Sequence, residues 1–386
     1  MKPVKRRVRR TLSALAIVFG AAGAALAAQT NAPPAEATAI DVAEIATGLN
    51  HPWGMQFLPD GRILVTERAG SMRIVSGNGK ISAPITGVPK VVARGQGGLL
   101  DVLLAGDFAA SSEIFFSYAE PREGGTNATA VAKAKLSLTG DGGSLSDVQV
   151  IFRQQPPIAS GHHFGSRLVF DRKGALFITT GDRASQKDSA QDLSTDIGKL
   201  IRIMPDGSIP KDNPFAGQDG KRPEIWSYGH RNIQGMARHP ETGEVWTTEH
   251  GARGGDELNI PRAGKNYGWP VITWGIDYSG AKIGEGTAKA GMEQPVYYWN
   301  PSIGTSGLTF YTGELFKGWK GNLLAGGLSG AVLERLILDG DQVAGVEHLL
   351  AGRGDRIRDV RMAPDGSVYV LTDDADGKLL RLTPGR

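Results

Sequence analysis

The chain has 386 residues, 40% of them hydrophobic and 22% charged, with a formal net charge of +3 and no cysteine. Without cysteine there are no disulfides, no thiolate catalysis and no Cys-ligated zinc, and a chain this long can bury a large core without such staples. Glycine, at 54 residues, has about twice its usual share.

In chain order, Lys2, Lys5, Arg6, Arg7, Arg9 and Arg10 precede a small apolar run over 12–26, and Ala25-Leu26-Ala27 fits a small-x-small cleavage site. Residues 1–27 are expected to be a secretory signal peptide, too short to span a bilayer. Arg9-Arg10-Thr11-Leu12 fits a twin-arginine signal no better than ordinary export. Removing six cations leaves the remainder slightly acidic, and no basic stripe follows, which argues against nucleic-acid binding. No later segment is apolar for long enough to cross a membrane, so stable membrane insertion is not expected. The working protein is expected in the periplasm or secreted. Residues 28–39, with Asn31, Pro33, Pro34 and Glu36, read as a flexible linker.

From residue 40 a pattern recurs: short strand, tight polar turn, short strand. Met55-Gln56-Phe57 leads through Pro59-Asp60-Gly61 to Ile63-Leu64-Val65, and Leu168-Val169-Phe170 leads through 171–174 to Leu176-Phe177-Ile178. Met236-Ala237 leads through 240–243 to Val245-Trp246-Thr247, and Val360-Arg361-Met362 leads through Pro364-Asp365-Gly366 to Val368-Tyr369-Val370. Weaker copies pair 100–104 with 114–118 and 308–311 with 323–325. Asp-Gly between β-branched or aromatic runs is a strong hairpin signal. About six copies at spacings of roughly 45–80 residues predict an all-β, six-bladed β-propeller with long inter-strand loops, one domain over 40–386. A large sandwich is the rival, disfavoured by the recurrence of similar hairpins with long connections. The run 378–382 is expected to be the last strand, with 40–45 completing its blade. The segment 192–203 is expected as a short helix.

The connections carry the polar clusters. Ser160-Gly161-His162-His163-Phe164-Gly165-Ser166-Arg167 sets two histidines in a loop before a strand, where catalytic side chains often sit. Imidazole has the pKa a general base needs at neutral pH, although surface or structural roles are the ordinary ones for loop histidines. Gln96 lies among glycines that permit close backbone approach, or merely in a Gly-rich turn. Gly229 to Gly235 gathers His230, Arg231, Asn232 and Gln234, which suit an oxygen-rich anionic ligand as well as a self-bonded loop. Glu249 to Glu257 offers hard oxygen donors suited to Ca²⁺ without EF-hand spacing, or a solvated acidic pair. Arg356 and Arg358 alternate on a strand and so point the same way, toward an anion or solvent.

Together, Arg94-Gly-Gln96-Gly-Gly98, His163-Phe-Gly-Ser-Arg167, Gly181-Asp182, Gly229-His-Arg231-Asn232-x-Gln234-Gly235, Glu249-x-Gly251 with Asp256-Glu257-Leu-Asn259, and Asn266-Tyr267-Gly268-Trp269-Pro270 resemble the soluble glucose/sorbosone dehydrogenase family. Within it, the pyrroloquinoline quinone (PQQ)-dependent aldose sugar dehydrogenases are most similar. The resemblance runs from about Gly48 to Leu382. It implies a six-bladed propeller that oxidises an aldose at its anomeric carbon to the lactone, with PQQ and Ca²⁺ as cofactors and an external electron acceptor. It implies His163 as general base. It implies Gln96, Arg231, Asn232, Tyr278, Ser302, Ser329, Arg356 and Arg358 as cofactor contacts. The carbonyls of Gly251 and Ala252 would hold the cofactor's Ca²⁺, and Glu257 with the Tyr267 backbone a second Ca²⁺. Two departures stand out. No lysine occurs near 328–330, where relatives often meet a cofactor carboxylate, so Ser329 substitutes only in part. His162 replaces an acid of glucose-specialised relatives, which favours a broader aldose specificity. A propeller that lost its cofactor and only binds, or a Ca²⁺-dependent lactonase, are the other readings.

Overall fold

The computed structural model describes Met1, residues 28–140 and residues 142–385. The expected signal peptide over 1–27 lies, apart from Met1, outside the described residues. Among the described residues, no helix is long and apolar enough to cross a membrane.

Among the described residues, twenty-three strands form six antiparallel sheets, five four-stranded and one three-stranded. These are six blades in a ring. Blade 1 covers 52–75, blade 2 99–153, blade 3 168–228, blade 4 233–299, blade 5 305–349 and blade 6 357–384. Each recurrent hairpin of the sequence forms the two inner strands of one blade. Ile40–Leu49 pairs antiparallel with Gly377–Pro384 as the outer strand of blade 6. N- and C-terminal strands thereby share one sheet and close the ring, leaving fewer free edges.

Both faces of a blade are buried, so its strands carry apolar residues on both sides. Alternation sends neighbours to opposite interfaces. In blade 5, Leu323 and Ala325 pack toward blade 4, whereas Leu324 packs toward blade 6. In blade 2, Phe116 faces blade 1 and Phe115 faces blade 3. The remaining seams, between blades 3 and 4 and between blades 6 and 1, have clusters of their own. Every inter-blade seam is thus a separate apolar layer.

Two expectations fail. The segment 192–203 is a turn followed by the strand Lys199–Ile203, buried throughout. Gly198 takes φ +67°, which ends any helix, and Leu200, Ile201 and Ile203 are all buried, as the sheet requires and one helical stripe would not. The only α-helix among the described residues is Phe108–Ser111. The stretch 28–39 is laid against blades 4 and 5 rather than free. The Tyr298 N–H donates to the Gln29 carbonyl and the Ala35 N–H to that of Val346, the backbone N–H of Thr38 is bonded to Glu347, and Ala32 packs on an inter-blade core.

Because strands alternate up and down, the turns between the two inner strands of every blade fall at one end of the ring. The loops 94–98, 154–167, 180–198, 229–232, 250–255, 300–304, 328–331, 350–356 and 373–376 fall at the other. Connectivity alone therefore brings the polar clusters to a single rim.

Candidate active site

At that rim lies a cavity of about 470 Å³ whose lining includes Gln96, Gly251, Ala252, Tyr278, Ser302, Ser329, Arg356 and Arg358. Eight sequence-predicted residues, from six loops and one strand, thus share one cavity. A second, ion-sized cavity of about 10 Å³ is lined by Arg231, Gly251, Glu257 and Tyr267, so Gly251 faces both. His163 and Asn232 flank the larger space. The His163 N–H donates to Gln96 Oε1 at 2.8 Å, and Asn232 Oδ1 accepts from the N–H of Gly165, a lining residue, at 3.0 Å. Tyr278 is 70% exposed and stands at the mouth.

His163 is held in a left-handed backbone conformation, φ +52°, uncommon for a residue with a Cβ and often found at functional sites. Its Nδ1 lies 2.5 Å from Asp182 Oδ1. Asp182 is buried, and burial favours its neutral form, but His163, Arg231 and the Ala184 N–H together hold its carboxyl below the usual range. An ionised carboxylate only accepts, so Nδ1 carries the proton and Nε2 keeps its lone pair. Nε2 has no protein partner among the described residues. Burial lowers the His163 pKa, against the pull of Asp182 and with help from Arg231. The imidazole is therefore neutral at physiological pH, as a base must be.

Gly181 shows how tightly this is packed. A Cβ there would lie 2.2 Å from the His163 carbonyl oxygen and 2.9 Å from Asn232 Oδ1. Gly181→Ala is expected to shift both residues and lower kcat roughly tenfold or more. Steady-state rates measured beside a melting curve check this, since a change in stability alone would leave kcat per folded molecule intact.

Several contributors were not assigned a role from sequence. Trp269 donates its indole N–H to Asp182 Oδ2 at 2.8 Å and lies 5.3 Å beneath the Arg231 guanidinium. Asp373 bonds Arg358 Nη2 at 2.7 Å and His51 Nδ1 at 3.0 Å. Burial opposes its charge, yet Arg358 and His51 hold its carboxyl well below the usual range. Arg68 and Arg253 line the cavity as well. They add cations to a lining that holds no lysine. Gly181-Asp182 and Trp269 stood inside family motifs, which was the available signal. Arg68, His51 and Asp373 carried none.

The donor sets can be tested against the implied cofactors. Among the described residues, Asn232 Nδ2, Arg358 Nε and Ser302 Oγ are buried without partners. Unpaired buried donors are costly and call for acceptor oxygens, which a planar polycarboxylate quinone would bring, so the residues fit PQQ. At the small cavity Glu249 and Glu257 are direct cross-strand partners, an unfavourable pairing of like charges. Burial, and Glu249 after it, push Glu257 well above the usual carboxylate range, and Asn259 Oδ1 is buried without a donor. Oxygen ligands in that state fit a hard divalent cation. No group of three or more His, Asp or Glu side chains arranged to hold a metal occurs among the described residues, so backbone carbonyls would have to complete the set.

A closed six-bladed ring with guanidinium groups, amides and a His–Asp pair around one rim cavity defines a propeller with a site for a polar, anionic small molecule. Comparison with known proteins narrows this. The Glucose / Sorbosone dehydrogenase family model matches residues 49–381, and the chain belongs to that family. It is 49% identical over 348 residues to the aldose sugar dehydrogenase YliI of Escherichia coli K12, covering 89% of this chain and 93% of the relative. A crystal structure of the soluble aldose sugar dehydrogenase of Escherichia coli in its apo-form matches with a TM-score of 0.86 and 48% identity, over 89% of this chain and 99% of that one. A PQQ-bound aldose sugar dehydrogenase of Streptomyces coelicolor matches with a TM-score of 0.76 and 28% identity, over 91% and 99%.

Proposed function

We propose that this protein is an exported PQQ- and Ca²⁺-dependent aldose sugar dehydrogenase that oxidises the anomeric carbon to the lactone and passes electrons to an external acceptor. The observation that carries the reading is the buried His163, its Nδ1–H committed to Asp182 and its other nitrogen free, at the edge of a cation-lined cavity. Similarity to aldose sugar dehydrogenases, one of them PQQ-bound, supports it. When bound, PQQ supplies the two-electron acceptor and Ca²⁺ a Lewis acid.

The chain's own residues do the rest. His163 Nε2 takes the proton of the C1 hydroxyl, which relieves positive character at C1 as its hydride leaves. Asp182 keeps the imidazole in the productive tautomer and stabilises the imidazolium that forms, and Trp269 orients Asp182. Arg356, Arg358, Asn232 and Gln96 would bind and orient the quinone, with Arg231 beside them and Ser302, Ser329 and Tyr278 on the same wall. Gly251 and Ala252 would hold the catalytic Ca²⁺, and Glu257 with Tyr267 a structural one. Export rests on the basic-then-apolar leader.

Titrating the apoprotein with PQQ and Ca²⁺ is expected to change the quinone's visible spectrum, raise the melting temperature and create sugar-dependent dye reduction. A chelator should abolish the last. No spectral or thermal response would leave a binding propeller, and lactone hydrolysis without quinone would identify a lactonase.

A further inference from the structure

Lys199 is fully buried at the start of the third strand of blade 3. Its Nζ donates to three backbone carbonyls, those of Ser189 at 2.8 Å, Ala190 at 3.1 Å and Ile197 at 2.7 Å. Three acceptors converging on one nitrogen call for three N–H donors, which only the ammonium form has. Burial brings the Lys199 pKa down to about 7, against the pull of Asp196 and Asp192, the charged groups facing it, and the three carbonyl acceptors are what favour the ammonium. Asp196 is itself bonded to Arg222, which also pairs with Glu224. The arrangement is that of a cation in a carbonyl cage, with the cation carried on the chain. The cage is the loop 189–197, drawn shut around the ammonium.

That loop abuts the reactive pair on two sides. The Ala190 carbonyl also accepts from the Gly229 N–H at 2.9 Å, and the Gly198 N–H donates to the carbonyl of Gly181, next to Asp182, at 3.1 Å. Gln191 Nε2 donates to the Trp269 carbonyl at 2.7 Å, and Gln191 Oε1 accepts from Asn266 Nδ2 at 2.7 Å. Ala190 and Trp269 belong to one buried apolar cluster, and the Trp269 N–H is tied to the Gly229 carbonyl at 2.9 Å. The indole so placed is the donor to Asp182 Oδ2. We infer that Lys199 is a positioning residue of the reaction, a built-in cation that closes the 189–197 loop and through Gln191 seats Trp269 on Asp182, so setting the basicity of His163. This inference rests on His163 being the base.

The sign follows from the hydrogen bonds. If Trp269 withdraws, Asp182 loses a donor to its second oxygen, becomes a stronger acceptor and favours the imidazolium of His163. The His163 pKa then rises, and the base is protonated over a wider acidic range.

The test uses two full-length variants, Lys199→Met and Gln191→Ala, and two readouts. Imidazole NMR of the apoprotein, with His163→Ala for assignment among seven histidines, reads the His163 pKa without any cofactor. The pH profile of kcat/KM after loading with PQQ and Ca²⁺ reads the acid limb. Both variants are expected to raise the His163 pKa by on the order of half to one unit, to move the acid limb with it, and to lower kcat more than they change KM. A fall in melting temperature with the His163 titration unmoved would overturn the inference and leave Lys199 a purely structural residue. Should Lys199→Met not fold, Gln191→Ala decides by the same titration, because it leaves Lys199 in place and removes only the side-chain bonds to Trp269 and Asn266. A wild-type protein that oxidises no sugar would sink the proposed function, yet the NMR comparison would still decide the positioning role.

Discussion

Replacing His163 with alanine is expected to lower kcat by about 10²–10⁴-fold while leaving cofactor binding near wild type. Residue 163 meets the cavity wall through its backbone N–H, which donates to Gln96 and is kept in alanine, so the quinone's spectral titration should survive the change and only turnover should fall. Asp182→Asn should cost a similar factor for a different reason. An amide at 182 can donate to Nδ1, which moves the ring proton to Nε2 and removes the lone pair that takes the substrate proton. Because burial depresses the His163 pKa, the acid limb of the wild-type kcat/KM profile should lie below the ordinary histidine value of about 6.5. Stopped-flow rates on the loaded enzyme across pH measure all three, and an unchanged rate for His163→Ala would remove it from the chemistry.

Arg167→Met is expected to be the most destabilising single change, by about 3–5 kcal/mol. The Arg167 guanidinium is buried in the centre of the ring, beneath the site. Its Nη1 lies 2.9 Å from Asp359 and 3.4 Å from Asp101. Nε donates to the Gln234 carbonyl at 2.7 Å and Nη2 to that of Arg358 at 3.1 Å, and the group lies 4.2 Å over the Trp53 ring. One side chain therefore ties blade 3 to blades 1, 2, 4 and 6. Methionine fills a similar volume but leaves two buried carboxylates with Arg361 as their one ion-pair partner beside backbone N–H donors. Burial already raises the Asp101 pKa, with Arg167 the chief opposing influence, so the variant should raise it further. A carboxyl whose folded pKa exceeds its unfolded value costs stability as pH rises through that range. The deficit should accordingly be smallest in acid and grow toward neutrality, which denaturant melts at several pH values would show. A pH-independent loss would mean that packing, not charge, is what Arg167 contributes.

These two residues differ in how far the sequence announced them. His163 stood in a Gly/Ser loop with a recognisable motif, and its chemistry could be read from residue type. Arg167 lay in the same motif without any sign that it plugs the channel, because its partners at 101, 234, 358 and 359 are brought near only by ring closure. The same holds for Asp182, whose bond to His163 spans two loops, and for Asp373 and Arg68, which carried no local pattern. The expected helix over 192–203 failed for a related reason. Its acidic start and apolar end suited either structure, and a sheet buried on both faces decided between them.

Local pattern was enough for the hairpins and for the loops that hold the polar clusters, since period-two alternation and Asp-Gly turns are properties of neighbouring residues. Tertiary structure alone decided which loops meet, which histidine nitrogen is free and where the 28–39 stretch is docked. Those depend on groups far apart in the chain, whose separation, burial and protonation are set together when six blades pack into one closed ring.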